Sequence, residues 1–262
     1  MDVSVIIVNY NTLQLTRDCL NSIIEHTRDL KYEVIIVDND SIDGSSETLA
    51  FEFPQFLTLK STENIGFGKG NNLGIKQAKG KYLFLLNSDT VLLNDAINIF
   101  YDFAENNKQI KIGALGCELL NRNLTIGRSS SPLPSLKKII KDSLKGYYSR
   151  IVLRKPTSFL QQLIPKKQEY MPVGQITGAD LFIPHSVIKQ IGVFDPRFFM
   201  YFEETDLQKR MELMGFKRLL IKGPKIIHFE GQSNISIKKY KMYYKSMFQY
   251  IMKHKLYLPK TL

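Results

Sequence analysis

The aromatic run Phe198-Phe199-Met200-Tyr201-Phe202 leads directly into Glu203-Glu204-Thr205-Asp206-Leu207. Three acids in four residues at the start of a helical pattern suit general-base work. One carboxylate can turn into a cleft while the others cap the helix or pair with Lys209 and Arg210. Asp206 and Arg210, four residues apart, are the natural structural pair. A second group follows the apolar run 82–86, in Asn87-Ser88-Asp89-Thr90. A carboxylate just past a buried strand can hold a hard cation, Mg²⁺ or Mn²⁺, when phosphates and water supply the remaining oxygens. His228 closes a strand-like run at 225–229. Beside an Asp-bound ion its imidazole is a candidate second ligand.

Something must bring these groups together. Apolar runs at 3–8, 33–37, 56–59, 82–86 and 112–117 are short and β-rich, as buried parallel strands are. Helical spacing separates them: Leu15, Cys19, Leu20, Ile23 and Ile24; Leu73, Ile75 and Ala78; Ile97, Phe100, Tyr101 and Ala104. The alternation predicts an α/β protein with a single, mostly parallel sheet covered by helices on both faces. Such sheets bind ligands beyond the carboxyl ends of their strands.

Polar clusters stand at those ends. The first strand closes on Asn9-Tyr10-Asn11 and the second on Asp38-Asn39-Asp40-Ser41, where Asp38 can accept from a ribose hydroxyl or a base N–H. Asp43-Gly44-Ser45 reads as a turn and helix cap. The third run leads into Asn64-Ile65-Gly66-Phe67-Gly68-Lys69-Gly70-Asn71, whose glycines would let backbone N–H groups approach a phosphate. It is neither the dinucleotide fingerprint nor the P-loop.

Residues 1–117 are read as a ligand-binding α/β half and 118–234 as a catalytic half. The latter includes an insertion over about 128–170 with a basic helix near 135–152; 235–262 form a basic C-terminal helix and tail. Strands are expected near 173–176, 180–183, 217–221 and 225–229, with helices near 184–191 and 203–214. The net charge of +11 is local. Residues 137–167 carry nine Lys/Arg against Asp142 alone, and 238–260 carry seven Lys and no acid. Tyr240, Tyr243, Tyr244, Met247, Phe248 and Ile251 share a broad helical face there, and Leu136, Ile139, Ile140 and Leu144 recur at helical spacing in the first segment. Together they suit an anionic membrane surface; the alternative is an ordinary packed C-terminal helix with a solvated basic face. No nucleic-acid motif accompanies the charge. Cys19 and Cys117 read as reduced core thiols. With no leader and no apolar run long enough to span a bilayer, the expectation is a cytoplasmic protein, peripheral on the inner membrane face.

Six motifs in this order resemble family-2 glycosyltransferases with the type-A fold, near bacterial rhamnosyltransferase-like members. They are Val3–Asn11, Val37–Ser41, Asn64–Gly68, Leu86-Asn87-Ser88-Asp89, Thr177-Gly178-Ala179-Asp180 and Phe202–Leu207. The resemblance implies an inverting transfer from a nucleoside-diphosphate sugar, dTDP-rhamnose among the candidates, to a glycan or lipid-diphosphate-linked acceptor in cell-surface polysaccharide synthesis. Asn9, Asn11, Asp38, Asn39, Asn64, Gly66, Phe67, Asn71, Asn87, Ser88 and Asp89 would hold the donor. Gly178, Ala179 and Asp180 would meet the acceptor. Asp89 and His228 would bind the divalent cation, Mg²⁺ or Mn²⁺. Glu204 stands where the family usually has the Asp that acts as base, with Glu203 and Asp206 as alternatives. Asn87 stands where the family commonly has the first Asp of Asp-x-Asp. A sugar-phosphate nucleotidyltransferase would want a basic, Gly-rich loop where Asn9-Tyr10-Asn11-Thr12 stands. The Asn87 departure leaves a catalytically inactive sugar-nucleotide-binding protein as the second reading.

Overall fold

The structure is a computed structural model and describes residues 1–135, 163–229 and 237–255. In chain order its elements are β1 (Val3–Asn9), α1 (Leu13–His26), β2 (Tyr32–Asp38), α2 (Ser45–Glu52), β3 (Leu57–Lys60), α3 (Phe67–Gln77), β4 (Tyr82–Asn87), β5 (Thr90–Leu92), α4 (Ala96–Asn106) and β6 (Ile112–Cys117). There follow β7 (Ser130–Ser131), β8 (Tyr170–Val173), β9 (Gln175–Ile176), β10 (Asp180–Pro184), α5 (His185–Ile191), α6 (Glu203–Leu213), β11 (Lys217–Ile221), β12 (Ile226–His228) and α7 (Ile237–Lys253).

One sheet orders its strands β3-β2-β1-β4-β10-β6-β11-β8. β3, β2, β1 and β4 are parallel neighbours, β6 and β11 pair in parallel, and β10 and β8 run antiparallel to theirs. The sheet is thus mostly parallel, as the βα alternation requires. The antiparallel β10 lies between β4 and β6, so strands from early and late in the chain share one sheet.

Alternation along β1 sorts the core. Val3, Val5 and Ile7 join one cluster with Cys19, Leu20 and Ile23 of α1, Leu49 of α2 and Phe100 of α4. Ile6 and Val8 join the other with Ile75 of α3, Val187 of α5 and Leu207 and Met211 of α6. Period-two side chains on a strand covered on both sides require this split. Cys19 and Cys117 are buried free thiols, and burial pushes the Cys19 thiol up to about 12.

The glycine-rich run opens α3 and forms its first turns. A Cβ on Gly70 would lie 2.9 Å from Val8 Cγ1, and one on Gly74 2.5 Å from Ile6 Cγ2. These glycines let α3 lie directly on β1, and that packing accounts for their spacing. Two short pairs were not legible beforehand: β5 with β12, and β7 with β9. The basic helix expected near 135–152 falls almost wholly outside the described residues. Among the described residues no helix is long and apolar enough to cross a membrane.

Candidate active site

The β5–β12 pair builds one corner of the site. Its register sets His228 opposite Thr90, and the Phe229 N–H donates to the Asp89 carbonyl at 2.9 Å. Asp89 Oδ1 therefore lies 3.3 Å from His228 Nε2, and Asn87 Nδ2 lies 3.4 Å from the same nitrogen. Adjacent ligands of an octahedral ion with bonds of about 2.1 Å are separated by about 3 Å, so the Asp89–His228 pair fits a hard cation. Asn87 Oδ1 is buried without a hydrogen-bond partner among the described residues, a further oxygen beside the pair. No cluster of three His, Cys, Asp or Glu is present among the described residues. An ion here would take its remaining ligands from phosphate and water. Ser88 Oγ lies 3.1 Å from Thr12 Oγ1, tying this corner to the end of β1.

The second corner is the carboxyl edge of β1, β2 and the turn into α3. Asn9 donates to Asp38 Oδ1 at 2.7 Å and to Ser41 Oγ at 3.0 Å, and the Ser41 N–H donates to Asp38 Oδ2 at 3.1 Å. Asp38 is fully buried with both oxygens engaged, so in this structure it orients Asn9 and the 38–41 turn. Asn39 donates to Asn64 Oδ1 at 3.0 Å and accepts from the Ile65 N–H at 2.9 Å, and the Gly66 N–H also donates to Asn64 Oδ1. Tyr10 and Asn11 are the exposed members of this edge, with Asp40 beside them. Asn11 has φ +54° and Asp40 φ +68°, and Asn11 Oδ1 accepts from the Ile42 N–H. Sequence reasoning passed over Tyr10, although an aromatic between two asparagines at a strand end was a usable signal.

Three expected donor residues have other work here. Asn71 is buried and donates to the Phe67 carbonyl at 3.0 Å. Phe67 packs edge-on against Phe194. Gly66 has φ +86°, and a Cβ there would meet the Phe199 carbonyl oxygen at 2.2 Å. Its lack of a side chain admits the 198–202 segment.

The three acids of α6 part company. Glu204 meets the turn that leads into β10: a Cβ on Gly178 would lie 3.3 Å from Glu204 Cγ. The next residue, Ala179, accepts from the Asn87 N–H at 3.0 Å, which connects Glu204 through this turn to the Asn87–Asp89–His228 corner. Burial raises the Glu204 carboxyl, while helix N–H groups and the Arg128 guanidinium pull the other way. Arg128 was not anticipated, because no motif marks it. Glu203 is buried with its Cβ toward Gly68 of α3, and Oε2 lacks a hydrogen-bond partner among the described residues. Burial, then the neighbouring Glu204 charge, pushes its carboxyl well above the ordinary range.

Asp206 stands apart from the other two. It points away from Glu204, toward α7, and is fully buried among Arg210 Nε at 3.0 Å, Lys253 Nζ at 2.7 Å and His254 Nε2 at 2.8 Å. Burial alone would raise its carboxyl, but the His254 and Lys253 contacts outweigh that and hold it below the ordinary range. It is a structural anchor, and the Arg210 pair read from the sequence is present. Gly178 and Ala179 do flank the site, but Asp180 is buried in the sheet. Its Oδ2 accepts from the Cys117 N–H at 2.7 Å, and burial pushes the carboxyl up to about 7.

The helix bearing these acids starts from strain. Tyr201 and Phe202 have φ of +69° and +67°. Consecutive left-handed residues with side chains cost roughly 1–2 kcal/mol each, and such strain gathers at functional sites. It is held by α7: Ser246 Oγ donates to the Met200 carbonyl at 2.8 Å, and the Phe202 ring lies 5.4 Å from Tyr250.

A candidate metal corner, a polar strand edge and a raised carboxyl thus lie toward the carboxyl ends of the parallel strands. Known proteins resemble this chain. The chain is 25% identical over 213 residues to the N-acetylglucosaminyl-diphospho-decaprenol L-rhamnosyltransferase of Mycobacterium tuberculosis, covering 76% of this chain and 67% of that one. It is 33% identical over 121 residues to the poly(ribitol-phosphate) beta-glucosyltransferase of Bacillus spizizenii, covering 44% of this chain and 19% of that one. Among solved structures, S. aureus TarS 1–349 in complex with UDP superposes with a TM-score of 0.59 at 15% identity, over 97% of this chain and 65% of that one. GalNAc-T7 with UDP, GalNAc and Mn²⁺ gives 0.63 at 15% identity, over 90% of this chain and 45% of that one. At that identity the likeness fixes the fold, the type-A glycosyltransferase fold. The family model described as Glycosyl transferase family 2 matches residues 4–158, more than half the chain, and the protein therefore belongs to glycosyl transferase family 2.

Proposed function

We propose that this glycosyltransferase moves a sugar, with inversion, from a nucleoside-diphosphate sugar to a hydroxyl of a glycan or lipid-diphosphate-linked acceptor in cell-surface polysaccharide synthesis at the inner membrane face. dTDP-rhamnose is the donor the mycobacterial relative's name favours. The observation that carries the reading is the placement of Glu204. Of the three acids it is the one that packs against the Gly178–Ala179 turn, beside the Asn87–Asp89–His228 corner.

Asp89 and His228 would hold a divalent cation, Mg²⁺ or Mn²⁺, and when bound it neutralises charge developing on the departing diphosphate. The polar edge made by Asn9, Asn39 and Asn64 orients the nucleoside, with Tyr10 and Asn11 exposed to it. Glu204 takes the proton from the acceptor hydroxyl as that oxygen attacks the anomeric carbon in line. A single displacement needs one base, and Asp206 is occupied elsewhere.

The test is a donor screen. Purified protein is mixed with a panel of nucleotide sugars and Mn²⁺ or Mg²⁺, reading thermal shift and nucleoside-diphosphate release. One or a few donors should be hydrolysed only with metal, and not by Asp89→Ala, whose fold is unchanged. A protein that binds donors but releases no diphosphate with any of them would support the inactive sugar-nucleotide-binding reading instead.

A further inference from the structure

We propose that the outward stripe of α7 is a docking surface for an anionic lipid bilayer. The inner side of the helix is fully engaged. Tyr250 is buried beside Phe198 and Phe202, Ser246 is bonded to Met200, and Lys253 turns inward to Asp195 and Asp206 at 2.7 Å each. This packed face is rotated from the apolar face expected from sequence: it centres on Tyr250 and leaves Tyr244 and Phe248 outside.

On the opposite side, Lys241, Tyr244, Lys245, Phe248 and Met252 fall within about 100° of arc at 3.6 residues per turn. Phe248 is 62% exposed, Tyr244 49% and Met252 47%. Single exposed apolar residues need no explanation, but a lengthwise stripe of them does. Lys241 and Lys245 are exposed on the same stripe and form no ion pair among the described residues, and α7 contains no acid. Bulky apolar groups flanked by long cationic stems match the boundary between anionic headgroups and acyl chains. The rings enter that boundary and the lysine stems extend to the phosphates. A second copy fits poorly, since a symmetric contact would set this lysine-bearing stripe against itself. The surface stands independently of the donor and acceptor proposed above.

The test is co-sedimentation of the 262-residue chain with vesicles of phosphatidylcholine alone, or mixed with phosphatidylglycerol, at low and high salt. Binding should require phosphatidylglycerol and fall with salt. One cation at such a surface is worth about fivefold in partitioning. Lys241→Glu/Lys245→Glu should therefore weaken binding at least about 25-fold, and Phe248→Ser by roughly tenfold through lost insertion. Both variants alter exposed positions, so unchanged melting and unchanged turnover on a soluble acceptor show an intact fold. Absence of binding, equal binding to both vesicle types, or full binding by both variants would overturn the proposal. So would stripe-dependent dimerisation without vesicle binding, or salt-sensitive binding to a random duplex in preference to vesicles.

Discussion

Asp206→Asn separates the anchor from the base. The carboxylate is fully buried beside two cations, Arg210 and Lys253, and the His254 imidazole, so a neutral amide removes the charge that compensates the cations. Breaking a buried ion network by removing one partner typically costs about 3–5 kcal/mol. Here the loss is smaller, because the cations keep other contacts. Arg210 still donates to the Ile191, Gly192 and Val193 carbonyls, and Lys253 still reaches Asp195 at 2.7 Å. Asn also retains one acceptor. The expected loss is about 2–3 kcal/mol. At about 2–4 °C per kcal/mol for a chain of this size, Tm should fall by roughly 4–12 °C. The pH dependence has a definite sign. The carboxyl is held below its ordinary range in the folded protein, so its stabilisation is complete above the unfolded value of about 3.9 and is lost as pH falls through the folded value. The gap between wild type and Asp206→Asn should be full at neutral pH and close below pH of about 4. Thermal melts across pH, read by circular dichroism, measure it. A gap under about 2 °C at neutral pH, or one that persists unchanged in acid, would refute the anchor. If melting is unchanged while turnover collapses, Asp206 is the base and Glu204 is not.

Glu204→Gln should lower turnover by roughly 10²–10⁴ with donor binding retained. Its raised carboxyl places the acidic limb of the wild-type rate profile above the ordinary carboxylate range, so activity rises with pH through that raised value; a limb at the ordinary value would count against it. Asn87→Asp adds a carboxylate beside Asp89 and His228 and should lower the Mn²⁺ concentration needed for half-maximal donor binding in calorimetric titration. Gly74→Ala brings a Cβ to 2.5 Å from Ile6 Cγ2 and should destabilise the fold by about 1–3 kcal/mol without touching the site, seen as a lower urea midpoint.

The α/β architecture was written in local periodicity. Strands at 3–8, 33–37, 82–86 and 112–117 and the helices between them follow from apolar spacing, which any short window of chain displays, and the parallel sheet follows from their alternation. Asn9 and Asp38 were legible the same way, because a polar residue that ends a buried run lies at the sheet edge, and Asn64 and Asp89 as polar residues in the turns that follow strands. The Asp206–Arg210 pair was legible too, since it is set by helical spacing alone.

What depended on contacts between distant segments was not legible. Glu203, Glu204 and Asp206 are adjacent in sequence and chemically alike. Their roles separate only because β10 comes to Glu204, α3 to Glu203, and α7, some fifty residues later, to Asp206. The glycines of α3 are compatible with phosphate approach in sequence alone, and their packing role depends on β1 lying beneath them. The side of α7 that packs was not legible because Tyr, Met and Phe occur on both of its faces; composition is ambiguous there, and only the position of Phe198 and Phe202 decides which ring is buried. His228 and Asp89 lie far apart in sequence and meet through a three-residue pairing of β5 with β12, too short to carry a periodic signal. Local sequence determines which backbone groups must pair and which side chains seek burial, but a site is a meeting of several elements, and that meeting is set by how their faces pack.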